Sequence, residues 1–278
     1  MAMSLHRNFA KHNLRLLAYQ ALVEVDPLSK KYLVDKIVAS VSCEESYILD
    51  SSINDIQESL IPGRPKDPPL VNPLSVKKRS MNTTEGRAIA IHALAHIEFN
   101  AINLALDAVW RFPNMPDQYY LDWIKVAGEE AKHFLLLKDH LESLGFDYGN
   151  FPAHDSLWEM VEKTKGDILA RMALVPRTME ARGLDAVPLI RARFLQAKDY
   201  KMVEILDVIL RDEIGHVEIG NRWFNYLCKN KQVDAIQIFN HLCQQYKAPH
   251  MRGPFNIEAR KQAGFTDAEI NLLQDNHS

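Results

Sequence analysis

Two short motifs place a carboxylate and an imidazole three residues apart: Glu130-Ala-Lys-His133 and Glu213-Ile-Gly-His216. On an α-helix such positions lie about 60° apart around the axis, on one face, within reach of a common ion. One Glu-x-x-His arises easily by chance, and two are unremarkable alone. The acids around them change that judgement. Glu98 precedes Glu130 by 32 residues and Glu180 precedes Glu213 by 33, so the second pair repeats the first at an offset of 82 to 83 residues. The order Glu, Glu-x-x-His, Glu, Glu-x-x-His, one element per helix, is the ligand pattern of a dinuclear metal centre inside a helical bundle.

Charge balance explains why such a pattern needs metal. Four carboxylates in a core are prohibitively costly as bare ions, and two divalent cations neutralise them. Oxygen donors with one imidazole per ion suit iron, and equally manganese or a mixed Mn/Fe pair. Glu130 and Glu213 are expected to bridge, Glu98 and Glu180 to be terminal carboxylates, and His133 and His216 to give one nitrogen each. Asp212 and Glu129, which immediately precede the motifs, are expected to hold the outer ring nitrogen of a ligating histidine. For Glu129 a solvated surface is an equal alternative. No catalytic residue beyond this set is assigned.

Other residues tempt but fit less well. His92 and His96 point about 120° and 160° away from Glu98 around a helix and are expected to pack or hydrogen-bond instead. His140, two turns beyond His133, reads as a satisfied core histidine. Pro176 falls one turn before Glu180, where it removes a backbone bond and should kink the helix.

The elements that must position these residues are helical. Residues 1–60 read as an N-terminal helical extension, with one helix from about Phe9 to Val23 and another announced by Asp26-Pro27. Residues 61–81 form a proline-rich strap; 61–76 alone hold five of the 13 prolines. The bundle is expected over 82–228. Its first helix starts at Asn82, with Glu85 as a capping partner, and runs to about Trp110. The second runs from near Asp117 to the stop at Gly145. The third runs from Ser156 to Gly183. A short piece from Pro188 leads to the fourth, from Asp199 to about Leu227. Residue 114, midway between Glu98 and Glu130, lies in the Pro113-Asn114-Met115-Pro116 turn, so these two glutamates should face each other across a hairpin. Residues 229–278 should add a helix over about 231–246 and a short terminal helix capped by Thr266 and Glu269, packed on the bundle.

Composition sets bounds. At 278 residues and a formal charge of −3, the chain lacks the basic excess of a protein that holds nucleic acid mainly by charge. The clusters Lys77-Lys78-Arg79 and Lys247, Arg252, Arg260, Lys261 read as solvated faces. No apolar run of about 20 residues is seen, so no membrane crossing is expected, and the N-terminus shows no secretory pattern. Cys43, Cys228 and Cys243 are too few and scattered for a disulfide framework. Free thiols in the cytoplasm are expected.

The stretches PGRPKDPPLVNP (62–73), EGRAIAIHALAHIEFNAINLALDA (85–108), GEEAKHF (128–134), LARMALVPRTMEARGLD (169–185), LRDEIGHVEIGNRWF (210–224) and RGPFNIEARKQAGF (252–265) resemble the ferritin-like proteins catalogued as domain of unknown function 455. The resemblance covers most of the chain from the strap onward. It implies an all-α, ferritin-like four-helix bundle with its ligands at Glu98, Glu130, His133, Glu180, Glu213 and His216. It carries no substrate. The expected activity is an O₂-dependent oxidoreductase on a small molecule, in a monomer or homodimer. A ferroxidase or iron-storage role, kinship with tRNA-modifying hydroxylases, and a non-catalytic metal site are the alternatives.

Overall fold

The computed structural model describes residues 12–42, 47–49, 58–75 and 80–275. The chain is all-α. Among the described residues the β-pairing is limited to the two-residue strands His12–Asn13 and Tyr47–Ile48, which pair in parallel, and one bridge from Leu70 to Ala153. The helices are α1 (Leu14–Val23), α2 (Pro27–Ser42), α3 (Thr84–Arg111), α4 (Asp117–Ser143), α5 (Ser156–Lys163), α6 (Ile168–Leu174), α7 (Ala181–Gln196), α8 (Tyr200–Lys231), α9 (Ala235–Gln245), α10 (Ile257–Gln262) and α11 (Asp267–Asp275). Contacts divide the chain into two compact units, Met1–Pro65 with Ile102–Gly128, and Lys66–Ala101 with Glu129–Ser278. Helices α3 and α4 each give one stretch to each unit.

In the first unit α1 begins at Leu14, not near Phe9, because the Asn13 side chain accepts from the Arg15 and Leu16 amides and sets the N-cap. Phe9 itself lies outside the described residues, as do Cys43 and the Lys77–Arg79 cluster. Arg15 donates to the Trp110 carbonyl. Buried Lys30 donates to the carbonyls of Ala21 and Leu22 and to Asn103 Oδ1. A helix-terminal carbonyl needs such a donor once it leaves water.

The second unit carries every residue of the expected metal set. Its part of α3 is capped by Thr83, whose Oγ1 accepts from the Gly86 amide at 3.0 Å; Asn82 is not the cap. Buried positions Ile91, Ala95, Glu98 and Ile102 follow steps of four, three and four residues, the stripe of a core-facing helix. Helix α3 is also long and apolar enough, by length and composition, to cross a membrane, contrary to expectation. Yet 72% of its most apolar window is buried within the protein, and its stripe includes His92, His96 and Glu98. On α8, Ile209, Glu213, His216, Val217 and Gly220 fall on one buried stripe.

The expected third helix is not one element. Helix α5 ends at Lys163 and a turn intervenes before α6, capped by Asp167, whose Oδ1 accepts from the Leu169 and Ala170 amides. Residues Val175–Glu180 then form a π-helical turn. Pro176 accounts for it: lacking an N–H, it cannot close the α-helical bond to residue 172. The Ala181 amide bonds instead to the Pro176 carbonyl, five residues back, and Thr178 Oγ1 takes the Ala173 carbonyl at 2.8 Å. Gly183 does not stop the helix. Helix α7 runs through it and through Pro188 to Gln196, and the Leu184 carbonyl that Pro188 leaves free receives Asn256 Nδ2 at 3.2 Å. The C-terminal segment adds α10, which the sequence pattern did not suggest, and the Thr266–Glu269 pair caps α11 reciprocally. Cys228 and Cys243 are free thiols.

Two outcomes follow. Gly220 of α8 lies against the π turn: a Cβ there would sit 2.5 Å from Pro176 Cβ, and a proline ring cannot swing aside. We expect Gly220→Ala to cost about 1–3 kcal/mol of stability, read by urea denaturation; an unchanged midpoint would show that the contact is not tight. His92 is buried, stacks on Tyr148 with ring centroids 5.3 Å apart and accepts the Gly149 amide on Nε2 at 3.0 Å. Burial lowers its pKa from 6.5 to about 4. Between those values the unfolded chain binds the proton and the folded one does not, so stability falls as pH drops through that window. His92→Gln should remove this share of the acid loss. Parallel pH–stability profiles for the two proteins would contradict it.

Candidate metal centre

Four helical elements converge on one buried cluster. Glu98 comes from α3, Glu130 and His133 from α4, Glu180 from the end of the π turn, and Glu213 and His216 from α8. All six are buried, and Glu130, His133 and His216 are fully so. Glu98, Glu130, His133 and Glu213 each offer one donor atom within 4.8 Å of all the others, a group able to hold a metal ion. His133 Nδ1 lies 3.3 Å from Glu130 Oε2 and 3.5 Å from Glu98 Oε2. His216 Nδ1 lies 2.9 Å from Glu130 Oε1 and 3.8 Å from Glu213 Oε2. Glu130 therefore stands between the two imidazoles and turns one oxygen to each. Glu180 and His216 stand outside that group of four; Glu180 forms no ion pair with either histidine among the described residues, but the charges of Glu130 and His216 act on it.

The outer nitrogens of the rings are held crosswise. His133 of the first motif donates Nε2–H to Asp212 Oδ2 at 3.1 Å. His216 of the second donates Nε2–H to Glu129 Oε2 at 2.9 Å. Each acid thus serves the histidine of the opposite motif. Because a carboxylate only accepts, these bonds keep a proton on Nε2 and turn Nδ1 toward the glutamates. Lys132 donates to Asp212 at 3.3 Å and Arg211 at 2.8 Å. Sequence reasoning passed over these two bases, since a basic residue flanking a helical motif is ordinarily solvated.

Electrostatics register the crowding. Burial, then the charge of Glu130, pushes Glu98 up to about 8. The same two causes push Glu180 up to about 8 and raise Glu213 well above the carboxylate range. For Glu130 burial acts the same way, but the neighbouring His216 and His133 outweigh it and hold the group below its ordinary value. Burial opposes the charging of His133, yet hydrogen bonds to Glu130 and Glu98 push it up to about 11. Asp212, despite partial burial, is held low by His133 and Arg211. Both oxygens of Glu180 and Glu213 Oε2 are buried without a hydrogen-bond partner among the described residues.

His96 and His140 are engaged elsewhere. His96 Nδ1 meets the Tyr148 hydroxyl at 2.8 Å and Asn100 Nδ2 reaches its Nε2 at 3.0 Å. His140 Nε2 meets Asp199 Oδ1 at 2.9 Å, tying α4 to the N-cap of α8. Arg260, read as part of a solvated basic cluster, is instead buried and paired with Asp185. Its arginine-to-acid partner is 75 residues away in sequence, a separation that no local pattern signals.

These observations define an all-helical protein with a buried carboxylate–histidine cluster able to hold metal. The chain belongs to the family described as protein of unknown function (DUF455), whose model matches residues 24–271. An uncharacterized protein of Haemophilus influenzae (strain ATCC 51907 / DSM 11121 / KW20 / Rd) is 44% identical over 263 residues, spanning 92% of this chain and 91% of that relative. No solved structure matches the chain.

Glu180 gives the sharpest test of the cluster's cost. Its two partnerless oxygens burden the metal-free fold, so Glu180→Leu should raise the stability of chelator-treated protein by about 1–4 kcal/mol. Denaturant titration in EDTA measures this. A less stable variant would mean that the carboxylate has protein partners after all.

Proposed function

We propose that this chain is a dinuclear metal carboxylate protein on a ferritin-like four-helix bundle, acting as an O₂-dependent oxidoreductase on a small organic substrate. The four rods would be α3, α4, the run from α6 through α7, and α8. Two divalent ions, iron before manganese or a mixed pair, would be held by Glu98, Glu130, His133, Glu180, Glu213 and His216. The observation that carries the reading is that Glu98, Glu130, His133 and Glu213, from three helices, each bring a buried donor atom within 4.8 Å of the others, with both oxygens of Glu180 buried and partnerless among the described residues. Nothing in an apolar interior tolerates four carboxylates, but two divalent ions balance them.

The donors fit such a pair. Glu130, with one oxygen toward each imidazole, is placed to bridge, and Glu213 sits with the first motif's donors while belonging to the second. When bound, two redox-active ions supply the electrons that activate dioxygen. The chain's own residues do the rest. Asp212 and Glu129 fix the ring orientation and tautomer of the histidines, and the aromatic wall of Phe99, Phe134 and Tyr148 keeps water from the α3–α4 side.

The test is metal loading. Under anaerobic Fe(II) the chain should take up about two ions, and admission of air should produce near-ultraviolet ferric absorption. Asp212→Asn and Glu129→Gln should each weaken iron binding about 10–100-fold while the helix content stays unchanged. Uptake of at most one ion, or a spectrum indifferent to air, would defeat the proposal. Mass in solution separates the readings: one or two chains fits an enzyme with an organic substrate, whereas a large hollow shell would move the assignment to iron storage.

A further inference from the structure

The residues of the metal set are not equally assembled. Glu98, Glu130, His133 and Glu213 each bring a donor atom within 4.8 Å of the other three. Ligand atoms sit about 2.0–2.2 Å from a transition-metal ion, so donors on opposite sides of one ion are no more than about 4.4 Å apart. The group therefore needs to close by only about half an ångström to hold an ion. His133 Nδ1, at 3.3 Å from Glu130 Oε2 and 3.5 Å from Glu98 Oε2, is already near the spacing of adjacent ligands, about 3 Å.

The other position is less complete. His216 Nδ1 lies 2.9 Å from Glu130 Oε1 and 3.8 Å from Glu213 Oε2, but both glutamates also belong to the first group. Glu180 is the carboxylate left for this position alone. It closes the π turn Val175–Glu180, and both its oxygens are buried without a hydrogen-bond partner among the described residues. The outer ring nitrogens differ in the same sense. His133 is held by Asp212, 10% exposed, which also receives Lys132 and Arg211. His216 is held by Glu129, 29% exposed. The first imidazole is thus the more firmly set, and donors that are set beforehand lose less freedom on binding.

We propose that the two metal positions are unequal and fill in order. The first divalent ion enters among Glu98, Glu130, His133 and Glu213. The second is held by His216, with the shared Glu130 and Glu213, only once Glu180 swings in from the π turn. The inference rests on the dinuclear reading above and adds its regulation. The chain holds one ion when divalent metal is scarce, and the pair forms only as the supply rises. The first ion offsets half the charge of the four carboxylates, and the remaining half attracts the second.

Mn(II) reports the order, because an isolated ion gives a hyperfine-split electron paramagnetic resonance spectrum that an exchange-coupled pair does not. EDTA-treated, desalted full chain titrated with Mn(II) under nitrogen should show the isolated-ion spectrum up to one equivalent, then lose it to a coupled spectrum toward two. Calorimetry of the same titration should give a first step at least about tenfold tighter than the second. Glu180→Gln should leave the first step within about threefold and weaken the second at least about tenfold. Glu98→Gln should instead weaken the first step at least about tenfold. If a variant loses helix content by circular dichroism, the wild-type titration decides alone. A coupled spectrum from the first addition onward overturns the order and leaves the dinuclear reading standing, as does a folded Glu180→Gln chain whose first step weakens as much as its second. Failure to take up a second ion at any Mn(II) concentration removes both.

Discussion

A carboxylate taken out of water must find a proton, a cation or a hydrogen-bond donor, and four of them side by side must find a great deal. Glu98, Glu130, Glu180 and Glu213 share one small interior volume in which His133 and His216 are the only nitrogen donors among the described residues pointed at them. Two imidazoles cannot satisfy four acids. The consequence is visible in the shifts: Glu130, which lies between the histidines, keeps its charge, while Glu98, Glu180 and Glu213 are driven toward the protonated form. The helices that present these groups must then be held together by something other than the cluster, and their stripes are accordingly rich in small and aliphatic residues.

The crosswise bonds are the main device for holding the donors in place. Had Asp212 served His216, or Glu129 served His133, each motif would be self-contained on its own helix. Instead the first motif's imidazole is anchored on α8 and the second's on α4. Sliding one helix along the other by a turn, about 5.4 Å, would break both bonds together. Register between α4 and α8 and orientation of the rings are thereby fixed by the same two contacts. The bond from His133, with Arg211 and then Lys132 behind it, holds the Asp212 carboxyl low, so that it stays an acceptor for the imidazole.

Much of the centre was legible in the sequence because its information is periodic. Residues three apart share a helical face whatever the rest of the chain does, and a hairpin turn at Pro113–Pro116 relates Glu98 to Glu130 by arithmetic alone. Asp212 and Glu129 followed from adjacency, although which histidine each serves did not, since that depends on how α4 and α8 pack. The boundaries fared less well where side chains compete for backbone groups. Thr83 outcompetes Asn82 as a cap, and Asn13 starts α1 five residues after Phe9. Gly183 reads as a terminator and Pro188 as the start of a separate short piece, yet α7 runs through both: a neighbouring Asn256 supplies the donor that Pro188 withholds from Leu184. The buried pairs Arg177–Glu269 and Arg260–Asp185 join residues 92 and 75 positions apart, and no periodicity encodes such a meeting.

The π turn shows where a local rule is broken for a purpose. A regular α-helix through Val175–Glu180 would carry about 3.6 residues per turn and rotate everything after it relative to what precedes it. Widening that one turn changes the angle at which Glu180 leaves the helix, and it also presents Arg177 and Thr178 to the opposite side. Proline starts the widening, Thr178 caps the carbonyl that would otherwise be stranded, and Gly220 gives the bulged backbone room against α8. Three residue types on two helices thus agree on a distortion that none of them would impose alone. Agreement of that kind is what separates a retained irregularity from a tolerated flaw.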